Sequence, residues 1–247
     1  MDRMIYTALS GAKQILDQQA AVSNNLANAS TPAFKAQINL YRAVPVQGQE
    51  AQTRAFTLAS TPGADMKAGS LTYTGRDLDV ALQGNGWLAV QMPDGSEAYT
   101  RAGSLQVSAD GQLQTSGGRP VMGDGGLIAV PAGASVTIGT DGSVVARGPG
   151  EAANGLAQVG KLRVVTPPPE GLARGDDGYF RLRPGVDALQ QDPNVRVISG
   201  ALEGSNVNPV ESMVEMIANA RRFEMQMKMI SSADGNDQRA NSLLSNN

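Results

Sequence analysis

Five turn dipeptides, Asn85-Gly86, Asp94-Gly95, Asp110-Gly111, Asp124-Gly125 and Asp141-Gly142, all fall between residues 85 and 142. Such pairs tolerate the positive φ of two-residue turns, whose twist matches that of antiparallel strands. Short apolar or alternating runs lie around and between them. They are LDVALQ (78–83), WLAVQM (87–92), EAYTR (97–101), SLQVS (104–108), LIAV (127–130), SVTI (135–138) and SVVAR (143–147), followed by KLRVVT (161–166), YFRLR (179–183) and VRVIS (195–199). This pattern predicts an antiparallel β domain, sandwich or barrel-like, over residues 76–204.

Two glycine patterns in this region suggest nucleotide chemistry, and both fail on context. GNGWLA (84–89) has the dinucleotide-binding spacing, but the chain continues as a strand where a helix N-terminus must receive the pyrophosphate. GLAQVGKL (155–162) is close to a phosphate-binding loop, yet Leu162 stands where a magnesium-holding Ser or Thr belongs. The chain has no Cys and no His. Thiolate chemistry, Cys-ligated metals, and the commonest general base and metal ligand are therefore all missing. Asp176, Asp177 and Glu203 lack metal-ligand or paired-carboxylate spacing and read as solvated loop charges. Trp87, the single Trp, reads as sheet packing. No catalytic, metal or cofactor site is expected. A net charge of −3 gives no basic stripe for nucleic acid. No run approaches the roughly 18 apolar residues of a membrane span, so direct membrane insertion is not expected either.

The two ends are helical. Ile5, Ala8, Ala12, Ile15, Val22 and Leu26 follow three-and-four spacing, with Gln19 the one polar member, and Leu9 and Leu16 widen the stripe. The run closes in Ser23-Asn24-Asn25-Leu26-Ala27-Asn28 and stops before Pro32. Three Asn in a last turn either cap free carbonyls or meet a neighbouring chain, where a buried Asn fixes register. At the other end, Asn208-Pro209-Val210-Glu211 is a helix start, followed by Met213, Met216, Ala220, Phe223, Met227 and Ile230 at heptad spacing. Beyond Gly235 the tail reads as frayed or as a short extra helix. Residues 36–75 show no sustained period and read as an extended linker.

The expected class is α+β, with an N-terminal helical segment (1–35), linker (36–75), β domain (76–204) and C-terminal helical segment (205–247). Each apolar stripe is only about three heptads long, marginal for an isolated helix. One reading packs the helices on the β domain or on each other within one molecule. The other leaves them loosely paired until they form coiled coils with neighbouring chains.

MDRMIYTALSGA, NNLANASTPAFKAQ, LDVALQGNGWLAV, YTRAGSLQVSADGQL and LEGSNVNPVESMVEMIANARRFEMQMKMI together resemble the bacterial flagellar rod–hook family, in order and over nearly the whole chain. The resemblance implies a structural, non-enzymatic subunit of the basal-body rod, which crosses the periplasm and transmits torque from motor to hook. Distal rod and hook subunits share the end motifs and remain alternatives, as does a soluble β-domain binding module dimerised by its helices. The resemblance also implies export through the flagellar type III apparatus without a cleaved signal peptide. Its partners would be copies of the chain and neighbouring rod proteins. Both terminal helices would form a coiled-coil inner tube layer, with the β domain outside. The candidate assembly interface is then Ile5, Leu9, Ala12, Ile15, Leu16, Val22, Asn24, Asn25, Leu26 and Asn28 with Met213, Met216, Ala220, Phe223, Met227 and Ile230. One departure stands out: Ala33 precedes Phe34 where the family often has Gly, which argues against a left-handed turn there.

Overall fold

The computed structural model describes residues 2–45, 55–59, 63–150, 155–168 and 170–245, which divide into two compact units. The first comprises residues 1–29, 36–65 and 207–247; the second comprises 30–35 and 66–206.

In the first unit, helix α1 spans Asp2–Ala27 and helix α2 spans Pro209–Ser245. Asn208 caps α2: its Oδ1 accepts from the amides of Val210 (3.1 Å) and Glu211 (3.3 Å), and Pro209 opens the helix as its fixed φ favours. The helix does not fray or break at Gly235 but continues to Ser245. The two helices pack on each other antiparallel within one chain. Gln18 Nε2 donates to Glu215 Oε1 at 2.7 Å, while Gly11 faces Gln226, so the partner number falls as α1 rises. Both helices are therefore formed and paired in the single chain.

Residues 36–75 carry more order than their sequence suggests. Tyr41–Pro45 pairs antiparallel with Ala55–Ala59, and Gln37–Ile38 pairs with Gly63–Ala64. α1 lies against both the 55–59 and the 37–38 strands. These pairings are short and non-local, and so leave no periodicity in the sequence.

The second unit is β throughout, and every paired strand in it is antiparallel. A five-stranded sheet runs in the order Val164–Val165, Trp87–Gln91, Glu97–Thr100, Phe180–Leu182 and Leu172–Arg174. A three-stranded sheet joins Ser135–Ile138, Ser143–Arg147 and Leu156–Lys161. The last of these holds most of the phosphate-loop look-alike, which is a strand. Val80, Val90, Leu105, Leu113, Val121 and Val144 are fully buried in one apolar core. Trp87 is buried too, its ring 4.6 Å from that of Phe180.

Four of the five turn dipeptides close hairpins: 94–95, 110–111, 124–125 and 141–142 each join two strands that pair with each other. Asn85-Gly86 does not. The strand before it, Val80–Leu82, pairs with Val197–Ser199, whereas Trp87–Gln91 pairs with Glu97–Thr100. Its glycine is needed because a Cβ on Gly86 would meet the Val195 side chain.

Candidate assembly faces and a buried ion triad

The apolar stripes divide between the inside and the outside of the helical unit. On α1, Ala8, Ala12, Ile15, Ala21 and Val22 are buried and Leu26 is half-buried, while Leu9 is 57% exposed and Leu16 53%. The Ile5 side chain lies outside the described residues.

On α2 the buried line is Ser212, Asn219 and Ala233, with Gln226 reaching Gly11 between them. These four recur every seven residues, and Met216, Phe223 and Ile230 flank them half-buried. Met213, Ala220 and Met227 are exposed, as are Val210, Val214 and Ile217. The closed seam of α2 is thus partly polar, and much of its apolar surface faces outward. Sequence reading missed the seam because it followed hydrophobicity, and Ser, Asn and Gln carry none. The seven-residue recurrence of 212, 219, 226 and 233 was the available signal.

Among the described residues of this unit, two side chains are poorly satisfied. Asn219 is fully buried; among the described residues its Nδ2 has no hydrogen-bond partner, and its Oδ1 accepts a long 3.5 Å contact from Arg222. Gln19 Oε1 is likewise buried without a partner. Each such atom carries a desolvation penalty that a hydrogen bond would offset.

The Asn-rich close of α1 has separate jobs for its members. Asn28 caps the helix: its amide and its Nδ2 both reach the Asn24 carbonyl, at 3.1 and 2.9 Å. Asn25 instead acts like a neighbouring strand. Its Nδ2 donates to the Gln37 carbonyl at 3.0 Å, and its Oδ1 accepts from the Gln37 amide at 2.7 Å. Asn24 is exposed.

The second unit buries an ion triad. Glu203 is 2% exposed, so the solvated-loop reading of it is overturned. Its Oε1 accepts from Lys35 Nζ at 2.6 Å and from the Gly69 amide at 3.0 Å, and its Oε2 accepts from Arg101 Nε at 2.6 Å. The rest of the Arg101 guanidinium donates to the carbonyls of Leu82, Gly84 and Gly86 at 2.8–2.9 Å. The Gly84-Asn85-Gly86 segment is therefore a carbonyl cradle for a buried cation. Burial alone would raise the Glu203 carboxyl, but the Lys35 and Gly69 hydrogen bonds and the Arg101 charge outweigh it. Its pKa is held below the ordinary value of 4.5. No sequence spacing advertises the triad, because its partners lie 102 and 168 residues from Glu203.

Ala33 sits beside the triad at φ 58°, so the left-handed turn is kept without glycine. Its amide donates to the Glu203 carbonyl at 2.8 Å, and this bond helps offset the strain. Asp177 is a partly exposed loop residue held below its usual range by its Arg181 ion pair. Among the described residues no cluster of acidic groups could hold a metal, and no helix is long and apolar enough to cross a membrane.

Comparison with known proteins reaches both units. Residues 5–35 match the model "Flagella basal body rod protein", residues 81–146 match "Flagellar hook protein FlgE/F/G D1 domain", and residues 198–243 match "Flagellar basal body rod FlgEFG protein C-terminal". The flagellar basal-body rod protein FlgF of Escherichia coli (strain K12) is 58% identical over 99% of both chains. That of Salmonella typhimurium (strain LT2) is 56% identical over the same share. A rod protein FlgG, from Agrobacterium fabrum, is 32% identical over 94% of this chain and 95% of its own. The chain belongs to the flagellar basal-body rod family, as a structural rod subunit of the bacterial flagellum.

Proposed function

We propose that the helical unit is the assembling part of this rod subunit. Its helices form an inner tube layer against copies of the chain and neighbouring rod proteins, and the β unit lies outside. In this reading the tube crosses the periplasm and carries torque from motor to hook, and the subunit catalyses no reaction. Delivery through the flagellar export apparatus, without a cleaved signal, belongs to the same proposal.

The observation that carries the reading is the outward apolar surface of paired helices. Leu9 and Leu16 on α1, with Met213, Val214 and Ile217 on α2, are each more than half exposed. Residues of this size facing solvent on both helices mark a surface that gains free energy by association. Methionine suits such a face, because its flexible thioether can fit several non-identical neighbours.

The test uses outward positions, since Ile15 or Met216 would also disturb the pairing within one chain. Leu9→Asp and Ile217→Asp should leave helix content and thermal unfolding of the purified chain unchanged. In cells they should remove the chain from isolated basal bodies and abolish swimming. Motile cells with either change would overturn the proposal.

A further inference from the structure

The two units are joined by four passages of the chain, at residues 29/30, 35/36, 65/66 and 206/207. The second unit gathers the segments beside all four of them: 30–35, 66–70 and 203–206. Ala33 donates to the Glu203 carbonyl, and the Asn206 amide donates to the Phe34 carbonyl at 3.2 Å. The Gly204 amide donates to Ser70 at 2.7 Å, and Asn206 Nδ2 donates to the Lys67 carbonyl at 3.1 Å. A Cβ on Gly69 would collide with the Gly204 carbonyl, so the 66–70 and 203–206 segments are in backbone contact. Arg174 closes the other side, stacked 4.5 Å over the Phe34 ring while its Nη1 donates to the Lys35 carbonyl at 3.1 Å.

Glu203 is the centre of this knot. Its carboxylate takes one donor from each of three places: Lys35 on the first segment, the Gly69 amide on the second, and Arg101 from the body of the β unit. Lys35 Nζ also donates to the Lys67 carbonyl at 2.6 Å, so it bridges the first segment to the second as well.

We infer that the Lys35–Glu203–Arg101 cluster is a force-carrying clamp that binds every passage of the chain to the β unit at one point. The inference rests on the rod reading, because only a rotating subunit has a sustained load to transmit. Apolar packing could hold the same segments together, and a buried ion cluster is no more stabilising than a well-packed apolar one. The two differ in direction. Apolar contact has no preferred geometry and lets segments slide, whereas charge-assisted hydrogen bonds weaken steeply with angle and length. A carboxylate with donors from three segments shares the load among them and holds their register. Buried in the β unit, the cluster is also shielded from salt.

The test uses the full-length chain with two substitutions, Glu203→Gln and Lys35→Met. The second leaves the Arg101–Glu203 pair intact, so it decides the matter if Glu203→Gln unfolds the β unit. Amide hydrogen exchange at Ala33 and Asn206 should accelerate about tenfold or more in Lys35→Met, and at Gly69 also in Glu203→Gln. The Leu105 and Val121 amides, inside the β core, should keep wild-type protection in Lys35→Met. Cells carrying Lys35→Met should still place the subunit in basal bodies and swim in dilute medium, but slow disproportionately as viscosity rises. Unchanged exchange at Ala33 and Asn206, or a wild-type response to viscosity, overturns the clamp. Failure of the rod reading looks different: Ile217→Asp cells would then swim normally in every medium.

Discussion

The two units of this chain solve the problem of burial in opposite ways. The β unit puts Val80, Leu105, Val121 and Val144 at zero exposure and gathers the buried Lys35, Arg101 and Glu203 at one node, with Asp79 buried apart from them. The helical unit places Ser212, Asn219 and Gln226 along its closed seam and leaves Ile217 57% exposed. One unit closes a continuous apolar core within its own fold. The other has apolar surface in excess of what its own partner helix covers. The lesson is that hydrophobic patterning alone does not say what a helix face will touch, because the face of α2 that closes on α1 carries Ser212, Asn219 and Gln226 rather than its most apolar residues.

The largest expected effect sets the two units directly against each other. Leu105→Asp should unfold the β unit, costing more than about 4 kcal/mol, since it buries an unpaired charge in a closed core. Ile217→Asp should change the stability of the purified chain by no more than about 0.5 kcal/mol, as for an ordinary surface position. Urea titration of both variants measures the contrast, and equal costs would erase the distinction between the units.

The next effect belongs to the β unit alone. The Glu203 carboxyl is more acidic folded than unfolded, so its stabilisation is complete above the ordinary value of 4.5. It is lost as the pH falls through the lower, folded value. Acid unfolding of the β unit should therefore show a proton-uptake step below that pH, and Glu203→Gln should lack it. At neutral pH the same variant should cost about 3–5 kcal/mol, because the buried Lys35 and Arg101 both lose the Glu203 carboxylate. An acid profile identical to that of the wild type would show that the triad does not govern this unit.

Smaller effects separate the local devices. Asn25→Ala removes both bonds to Gln37 and should cost about 1–2 kcal/mol, read as faster exchange at the Gln37 amide while Asn28 keeps the helix cap. Ala33→Gly relieves a left-handed Ala but loosens the unfolded chain, so its net stabilisation should be about 0.5 kcal/mol. A destabilising Ala33→Gly would mean that the Ala methyl contributes packing that exceeds its strain.

Much of the architecture was legible without coordinates, and the reasons are local. Asp94-Gly95, Asp110-Gly111, Asp124-Gly125 and Asp141-Gly142 encode their hairpins in two residues each. Asn208-Pro209 encodes the start of α2 because its cap bonds lie two and three residues away. Trp87 and its run read as sheet because a short apolar stretch is bounded by turn residues, and the strand Trp87–Gln91 is buried on both faces. Legibility ended where partners became distant. Leu172–Arg174 and Ala201–Glu203 are three-residue strands, too short for a period, and both exist only through pairing. Gly235 looked like a helix end, but nothing nearby supplies a stop, and the helix runs through it.

The sequence by itself determined the two terminal helices, the hairpins at the Asp-Gly pairs, the absence of Cys and His, and the family motifs at the two ends. These depend on residue type and on spacings of a few residues, within reach of backbone sterics and local hydrogen bonds. Tertiary structure alone decided which face of α2 closes on α1, that Asn25 bonds a strand, and that Glu203 joins Lys35 to Arg101. Those outcomes depend on which distant groups share a desolvated volume. There, a carboxylate that spacing marks as an ordinary loop charge becomes the buried partner of two cations.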